Sequence, residues 1–216
     1  MTEPYDLDRL AARAYPAAEE ERVEGWLLRC SPGERPKRVN SALPLGPPLD
    51  VERVVAWYAE RGTDPLIMVT PDEDLRFDLP GWTTEGATDV LVGDPGTVLD
   101  ALEGPAHQVV PTELDGPMRS PDQIVALGAA GGAGRATAVL QDGWTLLLGL
   151  EVAPDARRRG VGAALVRAWA RLSEGRGLYL QVERDNAPAH ALYARAGFSR
   201  SHGYHYRRAP AGTRPA

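Results

Sequence analysis

Three arginines and two glycines fall within six residues, Arg157-Arg158-Arg159-Gly160-Val161-Gly162. Guanidinium groups make charge-assisted hydrogen bonds that suit phosphate oxygens. Glycine lets the backbone pass close to a ligand and turn its N–H groups inward. An apolar, strand-like run from Trp144 to Val152 leads into the segment, and a helix-like run from Ala163 to Leu172 leads out of it. A helix start presents amides without intrahelical partners, together with the positive end of the helix dipole. Arg157, Arg158, Arg159, Gly160, Val161, Gly162 and Ala163 are therefore expected to line a cradle for a pyrophosphate.

Two other phosphate loops are excluded. A Walker loop needs Gly-x-x-x-x-Gly-Lys-Ser/Thr, and the single lysine, Lys37, lies far from any glycine-rich loop. The second glycine-rich run, Gly128 to Gly134, has Ala133 where that pattern needs glycine, and it predicts a hairpin connection. A dinucleotide fingerprint would need glycine at Leu165 and a position after the first strand of a βαβ unit.

Downstream, a short β-rich run, Leu178 to Val182, precedes Asn186-x-x-Ala189-x-x-x-Tyr193-x-x-x-Gly197-Phe198, and a last strand spans Ser199 to Tyr206. Strand, Arg-x-x-Gly-x-Gly, helix, strand, Asn/Tyr/Gly-Phe motif, strand: over Gln123 to Arg208 this order resembles the GNAT (GCN5-related) N-acetyltransferase superfamily. The resemblance implies an α/β (α+β) fold, a mixed and mostly antiparallel sheet flanked by helices. It implies acetyl-CoA as co-substrate, with no metal. The backbone of Leu150-Glu151-Val152 would pair with the pantetheine arm as an added strand would, so the arm's amides avoid a desolvation cost. The N–H near Val152 would polarise the thioester carbonyl. Arg159 to Gly162 would meet the phosphates mostly through backbone N–H groups. Tyr193 would protonate the departing thiolate, since a phenol with a reference pKa of about 10 stays protonated at neutral pH. Asn186 reads equally as the cap of the following helix and as a pantetheine contact.

The general base is less defined. Ribosomal-protein acetyltransferases of the superfamily carry glutamate where Gln181 stands, and mycothiol synthase-like members carry an acid near Leu146. Neither side chain here can take a proton. Glu151 and Glu183 are the nearest carboxylates, with His190, His202 and His205 as further candidates. Strand alternation puts Glu151 on the face opposite Leu150 and Val152, which suits the acceptor side and equally suits plain solvent exposure. A route without a base also stands, in which the amine arrives neutral or loses its proton through water. No nucleophile is placed for a covalent intermediate, so transfer is expected to be direct, to a small-molecule or peptide amine. A non-catalytic acetyl-CoA-binding or sensing module is the alternative.

Composition sets the frame. The 216 residues are 43% hydrophobic, enough for a packed core, and no apolar run approaches the ~20 residues of a membrane span. The start of the chain is acidic and polar, without a secretion signal, and one cysteine, Cys30, forms no internal disulfide. A cytoplasmic location without membrane contact is expected. A net charge of −6 argues against nucleic acid as partner. His202 and His205 sit at odd spacing on one strand, which points their rings to opposite faces and argues against a metal site.

In the amino-terminal half, Leu7, Leu10, Ala11 and Ala14 share a helix face, and Val23 to Cys30 and Val39 to Leu45 are expected as strands. Asp50 would cap a helix carrying Val51, Val54, Val55 and Tyr58, which Gly62 ends before a strand at Leu66 to Val69. Gly81-Trp82 and Thr88 to Val92 follow. Helix, strand, Gly-aromatic pair and strand repeat the order of the carboxy-terminal half. The sequence therefore resembles actinobacterial tandem GNAT proteins, with a degenerate copy over residues 1–103 and an acetyl-CoA-binding domain over 104–216. The Pro/Gly-rich stretch Gly93 to Pro121 would separate them. His107 to Val110 would be the domain's first strand, with no pair of roof helices before Gln123. The amino-terminal half then supplies the roof, or the pocket is open to large acceptors. Monomer and homodimer are both compatible with the sequence.

Overall fold

The computed structural model describes residues 4–34, 36–47, 49–70, 79–103, 107–114 and 120–213. The boundary expected at residues 103 and 104, and parts of the Gly93 to Pro121 stretch, border or lie outside the described residues. The chain divides into two units, Met1–Thr88 with His202–Ala216, and Asp89–Ser201.

The first unit opens with helix α1, Pro4–Ala14, whose buried residues include Leu7, Ala11 and Ala14. Strands β1, Glu19–Val23, and β2, Trp26–Cys30, pair antiparallel. The single strand expected over Val23 to Cys30 is thus a hairpin corner, because Glu24 turns the chain at φ 49° ahead of Gly25. All five residues of β2 are buried, so no period-two alternation marked its start. The strand expected over Val39 to Leu45 shrinks to β3, Leu43–Pro44, after a 3-10 turn at Lys37–Val39. Asn40 competes for that backbone: its Oδ1 accepts from Ser31 N at 2.8 Å and its Nδ2 donates to Glu34 O at 2.9 Å. Helix α2, Val51–Glu60, starts at Asp50, whose carboxylate accepts the Glu52 N–H at 2.9 Å. Strand β4, Leu66–Val69, then pairs antiparallel with the end of the last strand, Ser199–Arg208. Inside this unit the buried Asp8 carboxylate accepts from Thr70 Oγ1 at 2.6 Å and from His202 Nε2 at 3.2 Å. His202, a further candidate for the general base on sequence, is here a buried partner of Asp8.

The second unit takes the end of β5, Thr83–Gly93, then α3 (Pro95–Ala101), β6 (Val109–Thr112), β7 (Gln123–Ala129) and β8 (Gly134–Leu140). It continues through β9 (Trp144–Val152), α4 (Val161–Leu172), β10 (Gly177–Glu183), α5 (Ala187–Arg195) and the start of β11 (Ser199–Arg208). Strands β6 to β9 form an antiparallel run and β10 joins β9 in parallel, in the order β10-β9-β8-β7-β6. A mixed, mostly antiparallel sheet flanked by helices is what the sequence predicted. Helix α3 was not foreseen, although Asp94 before Pro95 is a cap followed by a proline in the first helical turn. Between β6 and β7 no helix occurs among the described residues.

One core holds these elements together. Val161, Leu165, Val166, Trp169 and Ala170 recur at helical spacing on α4 and are buried. They meet Val98 of α3 and Leu102 just after it, Tyr193 of α5 and Ala196 just after it, and Ala138, Leu147 and Leu180 of the strands in one cluster. Asp89, 8% exposed, receives Arg184 and Arg200 at 3.0 Å each and ties the end of β10 to its neighbours.

Candidate active site

The site begins where two parallel strands part. β10 is in register with β9 from Gly177 opposite Trp144 to Leu180 opposite Leu147, and the pairing stops there. Leu148 to Val152 continue along β8 alone, through a register shift opposite Arg135 to Thr137 that places an extra residue in β9 at Gly149-Leu150. Past this bulge, Ala153 N donates to Ala133 O at 3.0 Å. Bonded and non-bonded pairs alternate in an antiparallel ladder, so Val152, opposite Gly134, turns its own N–H and C=O away from β8. The Val152 carbonyl accepts from Arg157 Nε at 3.3 Å.

The helix that follows is open at its start. Helices α2, α3 and α5 each have a side-chain cap, from Asp50, Asp94 and Asn186, whereas α4 has none. Its N-cap is Gly160 at φ 87°, a backbone conformation that glycine adopts without steric cost. The first turn closes with Ala164 N to Gly160 O at 2.9 Å, which leaves the amides of Val161, Gly162 and Ala163 without an intrahelical acceptor. Arg157, Arg158 and Arg159 are exposed around this opening, and none has a carboxylate partner among the described residues. Arg158 itself holds φ 59°. Unpaired amides, a helix dipole and three guanidinium groups without carboxylate partners fit a multiply charged anion. His107, just ahead of β6, lies here too, with Nε2 2.5 Å from the Arg159 carbonyl oxygen.

Tyr193 is held by a helix-ending motif that explains its spacing to Gly197-Phe198. Phe198 N donates to Tyr193 O at 3.0 Å and Gly197 N to Ala194 O at 3.1 Å. Gly197 adopts φ 86°, the left-handed turn such an ending requires. The rings of Tyr193 and Phe198 meet edge-on at 5.7 Å, and Phe198 stacks on Trp169 at 5.7 Å. Tyr193 is 6% exposed, and burial pushes its phenol up to about 12. Among the described residues its hydroxyl has no hydrogen-bond partner.

The structure draws most of the sequence-predicted residues together. A side chain added at Gly162 would start 3.2 Å from Leu192 of α5 and 3.7 Å from Val152 of β9. Leu150, Val152 and Ala163 pack against the cluster that contains Val161 and Tyr193. Asn186, exposed at the start of α5, accepts from Ala189 N at 3.2 Å. Glu151 is exposed and paired with Arg135 at 3.0 Å, while Leu150 and Val152 turn to the core. Glu183 is exposed, and its carbonyl is 3.2 Å from His190 Nε2. Gln181 is half-buried and Leu146 fully buried. His202 and His205 belong to the other unit. Among the described residues no cluster of three or more His, Cys, Asp or Glu could hold a metal, and no helix is long and apolar enough to cross a membrane.

Parting strands, a bulge in the first of them and an uncapped, arginine-rimmed helix between them make up the candidate site. Residues 115–198 match the acetyltransferase (GNAT) family, and residues 3–117 match the family described as "Probable histone acetyltransferase Rv0428c C-terminal". The chain belongs to that second family and carries a GNAT acetyltransferase family domain over residues 115–198. It is 32% identical over 176 residues to "Probable histone acetyltransferase Rv0428c" of Mycobacterium tuberculosis, an alignment covering 75% of this chain and 53% of that protein. The chain thus spans about half the length of this relative. It is 25% identical to "Uncharacterized N-acetyltransferase YobR" of Bacillus subtilis over 93% of this chain and 96% of that one. Among solved structures, a GCN5-related N-acetyltransferase from Kribbella flavida shares the fold at TM-score 0.70 and 16% identity, over 98% and 97% of the two chains. A tandem GNAT protein from the clavulanic acid biosynthesis pathway does so at TM-score 0.63 and 15% identity, over 96% and 88%.

Proposed function

We propose that the protein moves the acetyl group of acetyl-CoA directly to an amine of a small-molecule or peptide acceptor. The observation that carries this reading is the uncapped start of α4, rimmed by three arginines without carboxylate partners and set beside the parting of β9 and β10. Acetyl-CoA supplies an activated thioester. The amides of Gly160 to Ala163 and the guanidinium groups of Arg157 to Arg159 bind its phosphates. The backbone edge of Leu150 to Val152 that faces away from β8 orients the pantetheine arm, with Asn186 at its flank. Val152 N–H stabilises the charge that develops on the thioester oxygen. The acceptor nitrogen forms its bond to the carbonyl carbon as the C–S bond breaks. The Tyr193 hydroxyl gives its proton to the leaving sulfur, and the proton shed by the amine passes to Glu151 or to water.

The exposed pairing of Glu151 with Arg135 favours water as the carrier. Residues 1–103 are read as a degenerate copy of the same plan, a reading supported by helix α2 followed by β4 and by the fold shared with the tandem protein. Relatives named for a histone and for streptothricin leave both acceptor classes in view. The proposed setting is the cytoplasm, as a monomer or homodimer. Titration calorimetry with acetyl-CoA, and with ATP and NAD as controls, tests the donor, and transfer of labelled acetyl to a panel of peptide and small-molecule amines tests the reaction. Micromolar binding of acetyl-CoA alone, with transfer that survives Glu151→Gln, is the expected result. Absence of acetyl-CoA binding would sink the proposal, and binding without transfer to any amine would leave a sensing module.

A further inference from the structure

His107 comes from a stretch that none of the phosphate-loop motifs includes, 52 residues ahead of the carbonyl it meets. A carbonyl oxygen only accepts, so the contact of His107 Nε2 with Arg159 O at 2.5 Å places a proton on Nε2. The ring also lies over Gly160: its Cδ2 and Nε2 are each 3.8 Å from where a side chain on that glycine would begin. In a trans peptide the C=O of Arg159 and the N–H of Gly160 point in opposite directions. Anchoring the oxygen on the imidazole therefore sends the Gly160 N–H away from the ring and leaves it free for an anion. The loop needs such an anchor. Gly160 has no side chain to resist rotation of this peptide plane, and its neighbour Arg158 is already in the left-handed region at φ 59°. No side-chain cap fixes the helix start either.

We infer that His107 is a positioning residue of the cradle, holding the Arg159–Gly160 peptide in the orientation that offers Gly160 N–H to a pyrophosphate. The inference rests on the reading of this loop as the pyrophosphate site. His107 does not touch the reacting atoms; it acts through the peptide it holds. Its effect should follow the pyrophosphate and be indifferent to the 3′-phosphate.

The test is calorimetric titration of the full chain and of its His107→Ala and His107→Gln variants with CoA and with dephospho-CoA, which keeps the pyrophosphate and lacks the 3′-phosphate. Glutamine can place an N–H donor where Nε2 stands. Loss of one hydrogen bond predicts a roughly five- to tenfold weaker affinity for His107→Ala, by the same factor for both ligands. His107→Gln should recover to within about twofold, and the thermal midpoint should be unchanged in both variants. Unchanged affinity in His107→Ala overturns the inference. So does a loss confined to CoA, which would put His107 on the 3′-phosphate, and so does a loss that glutamine fails to rescue or that tracks a falling midpoint. If the unaltered protein binds neither ligand, the cofactor reading itself falls.

Discussion

Two helix starts, one in each unit, differ in what occupies their first turn. Helix α2 begins at Asp50, whose carboxylate occupies the helix start by accepting the Glu52 N–H. Helix α4 begins at Gly160, offers no side chain of its own and is flanked by three arginines. Both helices bury an apolar stripe with a tryptophan, Trp57 on α2 and Trp169 on α4, and both lead to a strand, β4 and β10. Their packing chemistry is alike, and their first turns are opposite. A helix N-terminus favours an anion in either case. In α2 the chain provides that anion; in α4 it provides none.

The widest predicted gap between the two starts is at Gly160. Gly160→Asp places a carboxylate on the α4 opening and strains a backbone at φ 87°, so acetyl-CoA affinity should fall at least about a hundredfold by calorimetry. Retention of wild-type affinity would break the comparison. Tyr193→Phe comes next. Turnover should fall about a hundredfold while acetyl-CoA affinity stays within about twofold, as expected for a proton donor used only in the reaction. Burial raises the Tyr193 phenol to about 12, so the donor is protonated below that value and is lost as pH rises through it. The wild-type rate profile should therefore show no fall from this group up to about pH 10. A Phe variant with full turnover would remove Tyr193 from the mechanism. The smallest effect belongs to α2. Asp50→Ala should cost about 1 kcal/mol in urea unfolding and leave acetyl-CoA affinity unchanged. A matching loss of affinity would mean that the two starts are not independent.

Much of the site was legible because its signals are local. Arg157 to Gly162 can be read as an anion loop since amides, dipole and charge all come from adjacent residues. The spacing from Tyr193 to Phe198 is the hydrogen-bond geometry of a helix ending through Gly197, and that too is fixed within six residues. Helix α3 was missed although Asp94-Pro95 announced it, because glycines and prolines on either side suggested a linker. The β1–β2 corner was missed because both faces of β2 are buried and the alternation that marks a strand vanished. His107 and His202 had no readable signal at all. A histidine's role depends on what lies opposite it, and for these two that is Arg159 and Asp8, far away in sequence.

The sequence by itself determined the family, the uncapped glycine-arginine loop at Arg157 to Ala163, the Tyr193 to Phe198 ending and most helices, because each depends on residues within one or two turns. Only the tertiary structure decided where β9 and β10 part, that Val152 turns its backbone away from β8, and that His107 meets the Arg159 carbonyl. Those features arise from pairings between distant segments. Their register is set by the packing of the whole sheet and core, which no local run of residues encodes.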